Sequence, residues 1–228
     1  MQVLSPLLAT LVAYLLGSLS FAVIVSRLMG LKDPRTFGSK NPGATNVLRS
    51  GSRAAAVVTL ALDGLKGWLP VVLVRWFGKP YGLEDGTMAM VGLAAFAGHL
   101  WPVFFRFQGG KGAATAAGVL MAINPALAAA TLLSFGIVLA FSRYVSLAAM
   151  VAAAFAPFYL ALIWGVQPTL LPVVVMCLLL VWRHEGNLRK LIAGTESKLG
   201  QKVAVTLGPL PAHDKPHHRP GPPRKHHK

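Results

Sequence analysis

Apolar segments long enough to cross a lipid bilayer follow one another through most of this chain. A span needs about 20 apolar residues, at about 1.5 Å of rise each, to cover about 30 Å of hydrocarbon. Val3–Val25, Ala54–Phe77 and Thr87–Phe105 meet that length, and Val145–Gly165 and Pro168–Trp182 follow later. Between them the chain is apolar from Gly112 to Phe141, too long for one span. Asn124-Pro125 divides it, because proline cannot continue a helix that precedes it. The pieces are Ala113–Ile123, which covers only about 17 Å as helix, and Pro125–Phe141. The pattern predicts an all-α, polytopic membrane helical bundle with about seven crossings, two of them short. If the short pieces are re-entrant, five crossings remain.

Composition agrees. Hydrophobic residues make up 54% of the 228 residues, and mean hydropathy is +0.58. Only 13% are charged, too few to cover the surface of a water-soluble domain. That excludes an ordinary soluble enzyme. The first apolar run has no basic residue before it and no small-x-small cleavage pattern, so it is expected to be retained as a span rather than removed as a secretory signal. Cys177 is the single cysteine and lies in an apolar run, so no internal disulfide framework can form.

The charge is lopsided, with 22 Lys+Arg against 7 Asp+Glu. Basic chains often bind nucleic acid, but here the cations sit between and after apolar runs, which suits membrane orientation and anionic small molecules. Arg27, Lys32, Arg35, Lys40, Arg49 and Arg53 share one loop, whereas the next holds Lys79 offset by Glu84 and Asp85. Arg106 and Lys111, then Arg143, then a dense basic stretch after Val181 follow. With seven crossings and the N-terminus outside, all these basic segments fall on the cytoplasmic face. Residues 1–207 are read as one transmembrane catalytic domain. Residues 208–228, rich in Pro, His and Lys, are read as a disordered tail. Its histidines lack fixed spacing and any nearby carboxylate except Asp214, so no metal site is expected there.

Three polar clusters interrupt the apolar pattern on that face. In Gly38-Ser39-Lys40-Asn41-Pro42-Gly43-Ala44-Thr45-Asn46-Val47-Leu48-Arg49, a glycine- and proline-shaped turn can aim successive backbone N–H groups at an anion. Asn46 and Arg49 share a face if a helix begins there. In Gln108-Gly109-Gly110-Lys111-Gly112, three glycines surround a lysine just before a helix, so amides, helix dipole and ammonium converge. It is not a P-loop, since Gly112 stands where Ser or Thr is needed. In Arg183-His184-Glu185-Gly186-Asn187-Leu188-Arg189-Lys190, continued by Gly194-Thr195-Glu196, helical spacing puts His184 and Asn187 on one face and lets Glu185 pair with Arg189. His184 is a candidate base or a hydrogen-bond donor to phosphate, or the cluster is a basic helix touching lipid headgroups. Within the spans, Asp63 and Lys66 stand i,i+3 and are expected to neutralise each other inside the bundle, and His99 is expected to be a packing histidine.

Phosphate-friendly clusters around a bundle suggest a phosphate-bearing substrate meeting a lipid one. Two chemistries are excluded by pattern. The His-x4-Asp signature of common glycerolipid acyltransferases is absent, because Phe104 and Arg189 stand where the aspartate would follow His99 and His184. The aspartate cluster of metal-dependent lipid phosphotransferases is absent too, since Asp33, Asp63, Asp85 and Asp214 are scattered. A small exporter or scaffold would explain the spans but not three such clusters on one face.

The motifs GSKNPGATNVLR, GHLWPVFFRFQGGKGAAT, RYVS and RHEGNLRKLIAGTE, in this order, closely resemble the bacterial acyl-phosphate-dependent glycerol-3-phosphate acyltransferase family. The resemblance runs from about Tyr14 to Glu196, and the tail is no part of it. It implies transfer of a fatty acyl group from acyl phosphate to the 1-hydroxyl of sn-glycerol 3-phosphate, giving lysophosphatidate and phosphate, the first step of phospholipid synthesis. It implies no cofactor and no metal, a multi-pass place in the bacterial cytoplasmic (inner) membrane, and an active site facing the cytoplasm. Its partners would be the two substrates and the bilayer, with no nucleic acid and with contact to the acyl-phosphate-forming enzyme as a further expectation. Carried over by motif, Ser39, Lys111, His184 and Asn187 would be catalytic. Arg49, Asn46, Gly38, Gly43, Gly109, Gly110, Gly112, Ser146 and Arg143 would bind substrate or phosphate. Whether His184 or a substrate phosphate oxygen takes the hydroxyl proton stays open.

Overall fold

The computed structural model describes residues 4–83 and 85–201. Among these residues every regular element is a helix: α1 (Leu4–Gly17), α2 (Phe21–Leu28), α3 (Ala44–Leu48), α4 (Arg53–Phe77), α5 (Asp85–Leu100), α6 (Ala113–Ile123), α7 (Pro125–Ser142), α8 (Val145–Trp164), α9 (Leu170–Arg183) and α10 (Glu185–Ile192), with two short 3-10 turns beside α5. The tail expected at 208–228 lies outside the described residues. Helices α4, α7 and α8, and α5 with its following 3-10 turn, are each long and apolar enough to span a membrane. The bent pairs α1–α2 and α9–α10 raise that number to 6, and α6 is a shorter apolar helix. The apolar segments read from sequence are therefore all helical.

Local chemistry sets the boundaries. Ser52 caps α4 by accepting from the Ala55 amide, and Asn124 caps α7 by accepting from Ala126 and Leu127, with Pro125 in the first turn. Gly165 ends α8 with φ +76°, a conformation that favours glycine.

The first expected span is broken in the middle. Its described residues form two helices separated by Ser18–Ser20, and α1 and α2 meet at 42°. Breaking a helix inside a bundle exposes carbonyls that must find donors. Lys66, from α4, supplies one by donating to the Leu19 carbonyl at 2.7 Å. The same ammonium stands 2.8 Å from Asp63, and both side chains are almost fully buried. The pair thus neutralises itself and mends the broken helix.

The core is built on close helix contacts. A Cβ on Gly118 of α6 would overlap the Gly64 carbonyl of α4, and one on Gly98 of α5 would overlap the Tyr14 carbonyl of α1. Phe96, Leu100, Leu127 and Leu160 fill the centre, while many leucines and phenylalanines stay exposed on the outer faces, as lipid-facing positions require.

Helix α6 explains how a short helix suffices. It starts beside Gly64 and Gly67, roughly 16 Å along α4 at 1.5 Å per residue. It ends where Arg75, near the close of α4, donates to the Ala122 carbonyl at 3.0 Å. The segment 101–112 covers the remaining distance, and its Gly109, Gly110 and Gly112 are buried against the helices. The glycine-rich cluster is therefore recessed within the bundle.

Candidate active site

Three sequence motifs meet at one end of the bundle, around Lys111. Its ammonium donates to Asn187 Oδ1, and Asn187 Nδ2 donates to Glu196 Oε1 at 2.6 Å. Ser146, at the start of α8, donates to that same carboxylate oxygen at 2.7 Å. Arg49, just past α3, donates to Ser197 Oγ at 2.6 Å. The segment Gly194–Gln201 thereby laces the ends of α3, α8 and α10 together. A Cβ on Gly110 would stand 3.0 Å from the Pro42 carbonyl, so the first and second motifs touch as well.

The electrostatics suit an anion. Burial lowers the Lys111 ammonium to about 8, reinforced by Lys190, Arg183 and Arg49 and opposed by Glu196. A cation crowded by cations is stabilised by binding a phosphate among them. His184, at the bend between α9 and α10, is 4% exposed, and its Nδ1 lies 2.8 Å from the Leu180 carbonyl. Burial pushes it down to about 4, which Lys111 reinforces and the Leu180 bond opposes. At neutral pH the ring is therefore uncharged. A carbonyl can only accept, so Nδ1 carries the hydrogen and Nε2 is left with a lone pair.

The glycine loop is held from two sides. Arg183 donates through Nε to the Gly110 carbonyl at 3.1 Å and through Nη2 to the Gly109 carbonyl at 3.0 Å. The Gly110 N–H donates to the His99 carbonyl at 3.1 Å. The N–H groups of Lys111 and Gly112 find no acceptor among the described residues. Gly112 itself has φ +87°, and a Cβ there would overlap the Phe96 ring, so both conformation and space require glycine.

Several expected site residues have other duties. Asn46 is 1% exposed and spends its carboxamide on its own turn: Oδ1 accepts from the Ser39 amide, and Nδ2 donates to the Pro34 and Phe37 carbonyls. It shapes the first motif instead of offering a free group. The amides of Lys40, Gly43 and Gly110 are likewise engaged with chain carbonyls, which narrows the expected anion nest. Gly38, with φ +56°, lies against the Asn46 carboxamide, where a side chain would collide. Ser39 is exposed, and its hydroxyl makes no hydrogen bond among the described residues. Arg143 donates to the Leu199 carbonyl at 3.0 Å and helps line an open cleft of about 390 Å³ with Tyr144, Glu196 and Lys198. His99 is more than a packing residue, since its Nδ1 stands 3.6 Å from Asp63.

Two residues went unremarked in the sequence as site members. Arg183 read as one more basic residue at a membrane surface. Glu196 falls at the end of the third polar cluster without a role of its own, although an acid in so basic a stretch, two residues after Gly194, is a usable signal.

The fold and this cluster of cations, hydroxyls and unengaged amides define an integral membrane protein with a polar, anion-accepting site at one end of a helical bundle. The glycerol-3-phosphate acyltransferase family model matches residues 7–194, and the chain belongs to that family. A glycerol-3-phosphate acyltransferase from Albidiferax ferrireducens is 63% identical over 208 residues, covering 89% of this chain and 93% of the relative. One from Paraburkholderia phytofirmans is 57% identical over 206 residues, covering 90% and 96%. The crystal structure of PlsY (YgiH), an integral membrane glycerol 3-phosphate acyltransferase, in its glycerol 3-phosphate form is similar with a TM-score of 0.80 and 37% identity, covering 86% of this chain and 96% of that one. The lysophosphatidic acid form of that enzyme is similar with a TM-score of 0.78. The chain is an acyltransferase acting on glycerol 3-phosphate.

Proposed function

We propose that the chain transfers a fatty acyl group from acyl phosphate to the 1-hydroxyl of sn-glycerol 3-phosphate, releasing lysophosphatidate and phosphate. The observation that carries this is the site's content. It gathers Lys111, Arg49 and free loop amides for phosphate, while among the described residues no serine or cysteine hydrogen-bonds to a histidine base: Ser146 meets Glu196 Oε1, an oxygen that Asn187 also occupies, and Cys177 lies in α9. An acyl phosphate is a mixed anhydride and needs no enzyme nucleophile, whereas positioning and charge stabilisation remain to be supplied. The solved PlsY forms with glycerol 3-phosphate and lysophosphatidic acid fit a site of this kind.

In this reading the hydroxyl oxygen attacks the acyl carbonyl carbon, the bond from that carbon to the phosphate oxygen breaks, and phosphate departs onto Lys111 and Arg49. His184 Nε2 accepts the hydrogen bond of the attacking hydroxyl, with Ser39 and Asn187 helping to orient it. A histidine held near 4 is a weak base. A phosphate oxygen of the substrates, whose second ionisation lies near neutrality, takes the proton. The acyl chain lies between helices lined by Leu, Val and Phe. Arg49, Lys111, Arg143 and Arg183 all gather at the site end, which by the positive-inside rule faces the cytoplasm of a bacterial inner membrane, with the N-terminus outside and seven traverses.

The test supplies the purified full chain in detergent with labelled glycerol 3-phosphate and either palmitoyl phosphate or palmitoyl-CoA. Labelled lysophosphatidate from the phosphate donor alone is the expected result. Product from the thioester donor alone overturns the donor assignment.

A further inference from the structure

The recessed glycine loop raises a problem that the transfer reaction does not solve by itself. Irregular backbone packed between apolar helices must have its carbonyls satisfied and its amides aimed. Arg183 satisfies two of those carbonyls at once, 3.1 Å from Gly110 and 3.0 Å from Gly109, with its guanidinium partly buried beside Trp182. In a trans peptide the C=O and the following N–H point in opposite directions. Drawing the Gly109 carbonyl toward Arg183 therefore turns the Gly110 N–H away from it, and that N–H indeed meets the His99 carbonyl at 3.1 Å. Drawing the Gly110 carbonyl the same way turns the Lys111 N–H to the opposite side, where no acceptor among the described residues meets it.

The other edge of the loop is walled by His99. A Cβ on Gly110 would overlap His99 Nε2, so the imidazole lies directly against the loop backbone. Its Nδ1 faces Asp63 at 3.6 Å, Asp63 is held by Lys66 at 2.8 Å, and Lys66 is anchored on the Leu19 carbonyl at 2.7 Å. A buried polar chain thus runs from the break between α1 and α2 to the back of the glycine loop.

We infer that Arg183 is a positioning residue for the phosphate site: its two-pronged grip on Gly109 and Gly110, braced by His99, turns the Lys111 amide toward a bound phosphate. Arg183 touches the loop and not the substrate. Its planar fork, more than its charge, is what the geometry uses, because lysine cannot reach both carbonyls in the same way. The inference rests on reading the loop as a phosphate site.

The experiment measures glycerol 3-phosphate binding by titration calorimetry on the full chain in detergent, so no acyl donor is needed. Wild type, Arg183→Lys and Arg183→Gln are compared, with thermal unfolding recorded for each. Arg183→Lys keeps the charge and loses the fork, and its Kd is expected to rise about tenfold, the size of one lost charge-assisted hydrogen bond. Arg183→Gln is expected to be weaker still, with both variants folded. Adding His99→Asn is expected to weaken binding about as much as Arg183→Lys does. If Arg183→Gln fails to fold, Arg183→Lys decides on the same criterion. Folded variants that bind like wild type, with only Tm lowered, overturn the clamp and leave the transfer reading standing. Wild type that binds no glycerol 3-phosphate removes the loop as a phosphate site and the clamp with it.

Discussion

Ser146 on α8 and Asn187 on α10 donate to the same atom, Glu196 Oε1, at 2.7 and 2.6 Å. One carboxylate thus ties two helices to the segment that crosses the site and stands close enough to Lys111 to raise its pKa. Replacing Glu196 by Gln keeps the shape and removes the charge. Lys111 then loses its one raising influence and falls below about 8. The alkaline limb of kcat/KM is expected to move to lower pH, read from a pH profile of the variant beside wild type. Replacing it by Ala strands two donors and is expected to cost about 1–3 kcal/mol in thermal or denaturant unfolding.

In the proposed reaction Lys111 holds phosphate only as an ammonium. Its pKa of about 8 in the free protein means the charged form is present below that value and is lost as pH rises through it. Wild-type kcat/KM for glycerol 3-phosphate is expected to decline above about pH 8. Lys111→Arg, with a side chain that stays protonated, is expected to lack that decline while losing activity through altered geometry. Lys111→Ala is expected to lose at least about a hundredfold in kcat/KM.

His184 is uncharged until pH falls to about 4. A group titrating there contributes no acid limb near 6.5, the ordinary histidine value, so a limb near neutrality belongs to the substrate phosphate. Proton NMR of a histidine-labelled sample checks this directly, by the absence of a His184 transition between about pH 5 and 8. His184→Ala is expected to lower kcat by about a hundredfold through lost orientation of the hydroxyl.

Gly118 has no room for any side chain beside the Gly64 carbonyl, whereas Gly86 faces open space. Gly118→Val is expected to lose folded protein in detergent by size-exclusion and thermal unfolding. Gly86→Ala is expected to match wild type within about 0.5 kcal/mol.

What the sequence disclosed and what it hid divide along physical lines. The break at Asn124-Pro125 was legible because cap and proline chemistry are local, as was the ion pair of Asp63 with Lys66 one helical turn away. The break between α1 and α2 was marked only by Gly17-Ser18-Leu19-Ser20 inside an apolar run, and the donor that mends it sits far along the chain at Lys66. The three polar motifs suggested an anion site through residue type and spacing, and the fold brings them together. Spacing could not show that Asn46 would spend its carboxamide on its own turn, nor that Arg183 would reach back to Gly109 and Gly110. Those duties are set by which helix ends the bundle brings together.

The central claim is direct transfer from acyl phosphate without an acylated enzyme. Phosphate release and lysophosphatidate formation by the purified full chain, given palmitoyl phosphate with and without glycerol 3-phosphate, test it most directly. The account predicts release that depends on glycerol 3-phosphate and equals the lysophosphatidate formed. A burst of phosphate without glycerol 3-phosphate, leaving palmitate bound to the protein, would contradict it.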